Sequence, residues 1–188
     1  MNTLSRLFRR LMRQERAVAA VEFAFIFPLM VLVYLGAVEG GTLIITDRKV
    51  QTTAASIGDL VARSDGFITS SDLLDYVRAA GNIMAPNDLT EFSQVIVALD
   101  VDSSGNATVR WSRKFSNNNN DTSTPYAAGS SYTLPPSVRD TFSGFSVIAA
   151  EASFEAYTPL LGAVFKTPID LRRTSYFLPR YGGRIMLN

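Results

Sequence analysis

Three groups of residues in this 188-residue chain have types and spacings that could do chemistry. The first is Glu22, the single charge in the apolar run from Ala17 to Val38. An ionised carboxylate in hydrocarbon is costly, so Glu22 requires a cation at its own depth or a place near the lipid–water interface. The second is the stretch DVDSSG, in which Asp100, Asp102, Ser104 and Gly105 stand at positions one, three, five and six of a calcium-binding loop. The twelfth position of such a loop needs a bidentate glutamate, and Trp111 stands there, so the stretch is read as a turn and no metal is expected. The third is Glu151 with Glu155, which a strand would place on one face about 13 Å apart, too far for a paired-carboxylate hydrolase.

The chain has neither Cys nor His. That excludes disulfides, zinc sites of the common kind, and Cys or His nucleophile–base pairs. Neither a phosphate-cradling glycine loop nor a nucleophile elbow occurs. Arg172 and Arg173 read as an exposed strand edge rather than an anion clamp. A net charge of +1 gives no reason to expect a nucleic-acid partner. The charge is nevertheless uneven: Arg6, Arg9, Arg10, Arg13 and Arg16 crowd the first sixteen residues, against Glu15 alone.

These residues need elements to position them. The run Ala17–Val38 is long enough for a helix of about 33 Å, matching a hydrocarbon core of about 30 Å. It is longer than the apolar region of a cleaved signal peptide. The arginines ahead of it predict a cytoplasmic N-terminus and a segment beyond the run on the far side. Pro28 removes one helical hydrogen bond and predicts a kink, or is a membrane-helix proline without function. Beyond Val38, Leu43, Val50, Ala54, Ile57 and Val61 recur at helical spacing, with Thr46, Gln51, Thr52, Ser56 and Asp59 on the other sides. The organisation is therefore a basic leader (1–16), a transmembrane helix (17–38), an amphipathic continuation (39–64) and an α+β head (65–188). Gly40-Gly41 is a weak point between the two helix halves, and Glu39 a solvated boundary residue.

The basic cluster, AVAAVEF, Pro28 and VEGG with Glu39 together resemble the TadE-like family of pilus-assembly proteins. The resemblance covers roughly residues 6–64, and Pro179-Arg180 echoes it loosely. It implies a non-enzymatic minor pilin or pseudopilin of the tight-adherence pilus, in the bacterial inner membrane with a periplasmic head. It implies cleavage between Ala17 and Val18 by a prepilin peptidase, although the family usually has Gly where Ala17 stands. It gives Glu22 a partner, the new N-terminal amine of its own or a neighbouring subunit; Arg16 or Arg13 of the same chain is the alternative. Its partners would be the membrane, other pilin-like subunits and the assembly platform, without cofactor or small-molecule substrate. An uncleaved periplasmic assembly factor on a single anchor is the second reading, and a membrane-anchored enzyme or binding module the third.

In the head, Ser70 or Ser71 is the expected cap of a helix ending at Gly81-Asn82. FSQVIVALDVDSSGNATVRWSRKF reads as a hairpin turning near 102–106. Residues 116–132 read as a solvated, Asn-rich loop. Residues 144–161 and 170–181 read as strands, with a short helix at Leu161–Phe165 between them. The fold class is α+β, a pilin-like antiparallel sheet of about four strands packed on the second half of the long helix.

Overall fold

The computed structural model describes residues 15–117, 119–121, 124–156, 168–181 and 183–188. Helix α1 runs unbroken from Glu15 to Ala62, 48 residues, about 72 Å at 1.5 Å per residue. It passes through Pro28 and through Gly40-Gly41 without interruption. Pro28 leaves the Ala24 carbonyl without its helical donor, but the turns on either side hold.

The second half of α1 packs on an antiparallel sheet. Strand β1 (Phe67–Ile68) pairs in parallel with β8 (Met186–Leu187) as a separate ribbon. The main sheet has the order β4 (Asn119–Asp121), β3 (Ala107–Ser116), β2 (Phe92–Val101), β6 (Ser146–Ala156), β7 (Ile169–Phe177), with β5 (Ser131–Tyr132) pairing β3. The class is α+β, as the sequence predicts. Strand β7 stops before Pro179, which cannot donate to a ladder. The short helix expected at Leu161–Phe165 lies outside the described residues.

Val50, Ala54, Ile57 and Val61 are buried, and Leu43 is half-buried, so the helical stripe of the sequence is the stripe that meets the sheet. Ile57 and Val61 join Ile96, Ala98, Ile148, Ala150, Trp111 and Phe115 from the sheet, and Leu73 and Val77 from helix α2 (Ser70–Gly81). Two polar positions differ from expectation. Thr46 and Glu39 are buried, because at i, i+4 and i+7 from Glu39 the positions Leu43 and Thr46 continue the Val50–Ala54–Ile57 face. Glu39 is thus on the head-facing side of the helix, not a solvated boundary residue.

Helix α2 is capped by Thr69, one residue before the expected serines. The Thr69 hydroxyl accepts from the Asp72 N–H at 3.1 Å, and the Asp72 carboxylate accepts from the Thr69 N–H at 3.1 Å, a closed capping box. At its other end the chain passes directly into a 3₁₀ turn, Asn82–Met84.

The β2–β3 hairpin forms with its turn where expected, and carries a bulge the sequence did not announce. Ala98 pairs Trp111 and Leu99 pairs Val109, leaving Arg110 as the extra residue. The bulge shifts the alternation by one. Ala107 and Val109 therefore face one side of the sheet, while Trp111 and Phe115 face the helix. Arg110 is turned onto Asp100.

The sheet is covered on both faces. Val95, Val97, Leu99, Val147 and Ala149 lie away from α1, beneath Leu134, Tyr126, Tyr132 and helix α3 (Pro136–Phe142). The Asn-rich stretch is therefore not wholly a solvated loop. It contributes β4, β5 and Tyr126, whose aromatic ring supplies the apolar area its neighbours lack.

Candidate functional site: an exposed apolar half-helix with an internal carboxylate

From Val18 to Val38 every residue of α1 is exposed except Leu35, which is half-buried. Phe25 is 80% and Leu29 62% exposed, and the segment presents apolar side chains all around the helix. Such a surface is insoluble by itself and belongs in lipid or against other apolar helices. By length and composition α1 qualifies as a single membrane-crossing helix, with mean hydropathy 2.3 over its most apolar window.

Glu22 is exposed on this surface, and among the described residues no cation pairs with it. Val18 and Glu22 are one turn apart on the same face. The backbone of Arg16 and Ala17 is helical, so the Ala17–Val18 bond lies in the first turn of α1. Arg6, Arg9, Arg10 and Arg13 lie outside the described residues. Pro28 is exposed in mid-span, one residue past the Phe27 ring, which meets Phe23 at 5.5 Å between centroids. The described ones among the sequence-predicted residues, Ala17, Val18, Glu22 and Pro28, thus lie along the first half of one helix rather than forming a pocket with the head.

The head's polar groups serve chiefly to hold it on that helix. Arg173 reaches Asp47 at 2.7 Å, and Arg180 pairs with Asp59 while Arg63 meets the same carboxylate at 2.6 Å. The Arg180 N–H donates to the Ala62 carbonyl at 2.8 Å, closing the end of α1. Lys49 donates to the Ala85 carbonyl at 2.6 Å. Arg172 and Arg173 do stand on the outer strand β7, but each is engaged by a carboxylate.

The cluster that sequence reasoning missed is centred on Glu151. Its side chain is buried on β6. Oε1 accepts from the Tyr126 hydroxyl at 2.9 Å and the Tyr132 hydroxyl at 2.8 Å; Oε2 accepts from Arg172 at 2.7 Å. Burial, then the hydrogen bond to Glu151, pushes the Tyr126 phenol up to about 12. Tyr132 is also raised, by burial and then by the charge of Glu151. Both oxygens of Glu151 are engaged: Oε1 pins the 126–132 segment on the sheet, and Oε2 holds Arg172 of the neighbouring strand β7. Glu155 is exposed further along the same strand. The one available signal was a glutamate flanked by alanines at 149, 150 and 152, in a strand otherwise fit for a core.

The Asp102 turn is likewise filled from within. Its carboxylate accepts from the Ser104 and Asn106 N–H groups, each at 2.8 Å, and from the Asn106 side chain at 2.9 Å. These bonds, the Asn106 side chain first, hold its carboxyl below the usual range. Gly105 takes φ +82°, the left-handed conformation the turn requires.

Comparison with known proteins adds one finding. Residues 17–58 match the family model described as TadE-like protein. The match covers the apolar half of α1 and most of its head-packed half. It is narrower than the sequence resemblance and does not include Pro179-Arg180. Neither the curated proteins nor the solved structures contain a match to this chain. Over residues 17–58 the chain is similar to TadE-like proteins.

Proposed function

We propose that the protein is a non-enzymatic minor pilin or pseudopilin acting in assembly, initiation or anchoring of a Tad-type pilus. The observation that carries this reading is that one unbroken helix has two surfaces: an exposed apolar half, and a half sewn onto a sheet. A helix of that kind can leave lipid and pack against similar helices without unfolding its head. The arginines at residues 6–16 hold the N-terminus in the cytoplasm and leave the head in the periplasm. Cleavage by a prepilin peptidase between Ala17 and Val18 creates an amine one turn from Glu22, and that amine or its counterpart on a neighbouring subunit neutralises the carboxylate. The partners are the membrane, other pilin-like subunits and the assembly platform. The reading involves no cofactor, nucleic acid or small-molecule substrate.

The helical state of the Ala17–Val18 bond favours a second reading, an uncleaved periplasmic assembly factor on a single-pass anchor. A peptidase takes its substrate extended, so this bond must first unwind a helical turn. The experiment on the first reading is Glu22→Ala in the native host. Loss of piliation with normal membrane insertion supports it; normal pili show that Glu22 has no assembly role.

A further inference from the structure

The exposed apolar surface of α1 does not end at Val38. Ile44 and Ile45 are 60% and 59% exposed, well beyond the segment matched to a bilayer by composition alone. Between Glu22 and Asp47 the only charged residue is Glu39, and it is turned into the head and buried. Thr46 is also buried, and the exposed Thr42 returns its hydroxyl to the Val38 carbonyl at 3.0 Å, so neither needs water. Immediately above stand Arg48, exposed, then Lys49, whose ammonium donates to the Ala85 carbonyl, and Arg173 bound to Asp47; at the same end of the sheet the exposed Glu155 and Asp170 pair across β6 and β7. An apolar belt continuous with the membrane span and closed by a rim of charged residues is how a helix meets phospholipid headgroups.

We propose that the bilayer covers α1 as far as Ile45, its outer headgroups meeting Arg48, Lys49 and Arg173, so that the head sits directly on the membrane surface. This rests on the membrane-anchored reading above and sharpens it. Placing the boundary at Glu39 instead would leave two isoleucine side chains in water. Placing it above Ile45 leaves the exposed Tyr34 hydroxyl in hydrocarbon, where a neighbouring helix can take it, and its ring is suited to either place. The placement also moves the inner boundary. About twenty residues counted back from Ile45 reach Ile26, so at low tilt Glu22 stands roughly one turn outside the hydrocarbon, among the inner headgroups. Its charge is then tolerable before any partner arrives.

The chain has no cysteine, so single spin labels can be introduced cleanly. The full chain carrying Leu32→Cys, Ile45→Cys or Thr52→Cys is labelled and reconstituted in vesicles of phosphatidylcholine and phosphatidylglycerol, and collisions with oxygen and with a water-soluble nickel chelate are measured. The expected result is loss of nickel collisions at both Leu32 and Ile45, with Thr52 freely accessible, at every protein-to-lipid ratio. Nickel access at Ile45 equal to that at Thr52, with Leu32 protected, overturns the proposal and leaves the anchor standing. Protection at Ile45 that disappears on dilution into excess lipid also overturns it, since a second copy would then be the cover. Access at Leu32 itself contradicts the membrane anchor.

Discussion

Gly58 of α1 lies against Phe177 of β7 so closely that a Cβ built on Gly58 would stand 2.5 Å from the phenyl ring and 3.1 Å from the Ala150 methyl. The helix can approach the sheet to this distance only because residue 58 has no side chain. Alanine would gain about 1 kcal/mol in helix propensity, yet overpacking at such a contact typically costs about 1–3 kcal/mol. Gly58→Ala is therefore expected to lower the thermal unfolding temperature of the full chain in detergent. A raised temperature would show that the Phe177 ring moves aside freely.

The Glu151 carboxylate is expected to be the main fastening of the 126–132 segment. Glu151→Ala removes the acceptor of two half-buried phenols and the partner of Arg172. Leaving buried donors unsatisfied costs about 1–3 kcal/mol each at full burial, so a loss of about 2 kcal/mol is expected. Tyr126→Phe, which removes one donor, should cost less. Limited proteolysis should cut near residues 124–130 faster in Glu151→Ala than in the parent chain.

The same cluster predicts an alkaline limit. Tyr126 and Tyr132 titrate above their ordinary value of 10.0, Tyr126 at about 12. The folded state thus holds these protons more tightly than the unfolded chain does. The stability they contribute is complete below pH 10 and is lost as pH rises from there through 12. Denaturant titrations across that range should show stability falling, with a smaller fall in the double variant Tyr126→Phe, Tyr132→Phe.

The α2 capping box predicts the opposite edge. Asp72 is held below its ordinary 3.8, by the Thr69 hydroxyl first and the Thr69 N–H second. A depressed carboxyl contributes stability above its unfolded value and loses it as pH falls through the folded one. Amide exchange in the first turn of α2 should therefore quicken on acidification below about pH 4. Thr69→Ala should quicken it at neutral pH, with a cost of about 1 kcal/mol.

Much of this architecture was legible before any coordinates. The stripe Val50, Ala54, Ile57, Val61 has helical period, and the helix buries that stripe. The β2–β3 hairpin was announced by two apolar runs around a Gly-containing turn. What escaped were events of one residue's size or of long range. The Arg110 bulge inverts the facing of everything after it, and no residue type marks it. Glu39 looked like a boundary charge because its place on the head-facing side depends on phase, not on composition. The Asn-rich stretch looked solvated because its polar residues outnumber its aromatic ones, whereas its fastening depends on two tyrosines meeting a glutamate from a distant strand. Of the candidate site, Ala17, Val18, Glu22 and Pro28 could be named from the pattern, but one chain cannot show what covers the exposed half of its own helix.

The central claim is that the chain is a processed, pilin-like subunit acting in pilus assembly. The most direct measurement is the intact mass of the protein extracted from membranes of its native host with an active prepilin peptidase. A chain beginning at Val18 is the predicted result. A chain beginning at Met1 in those cells would contradict it.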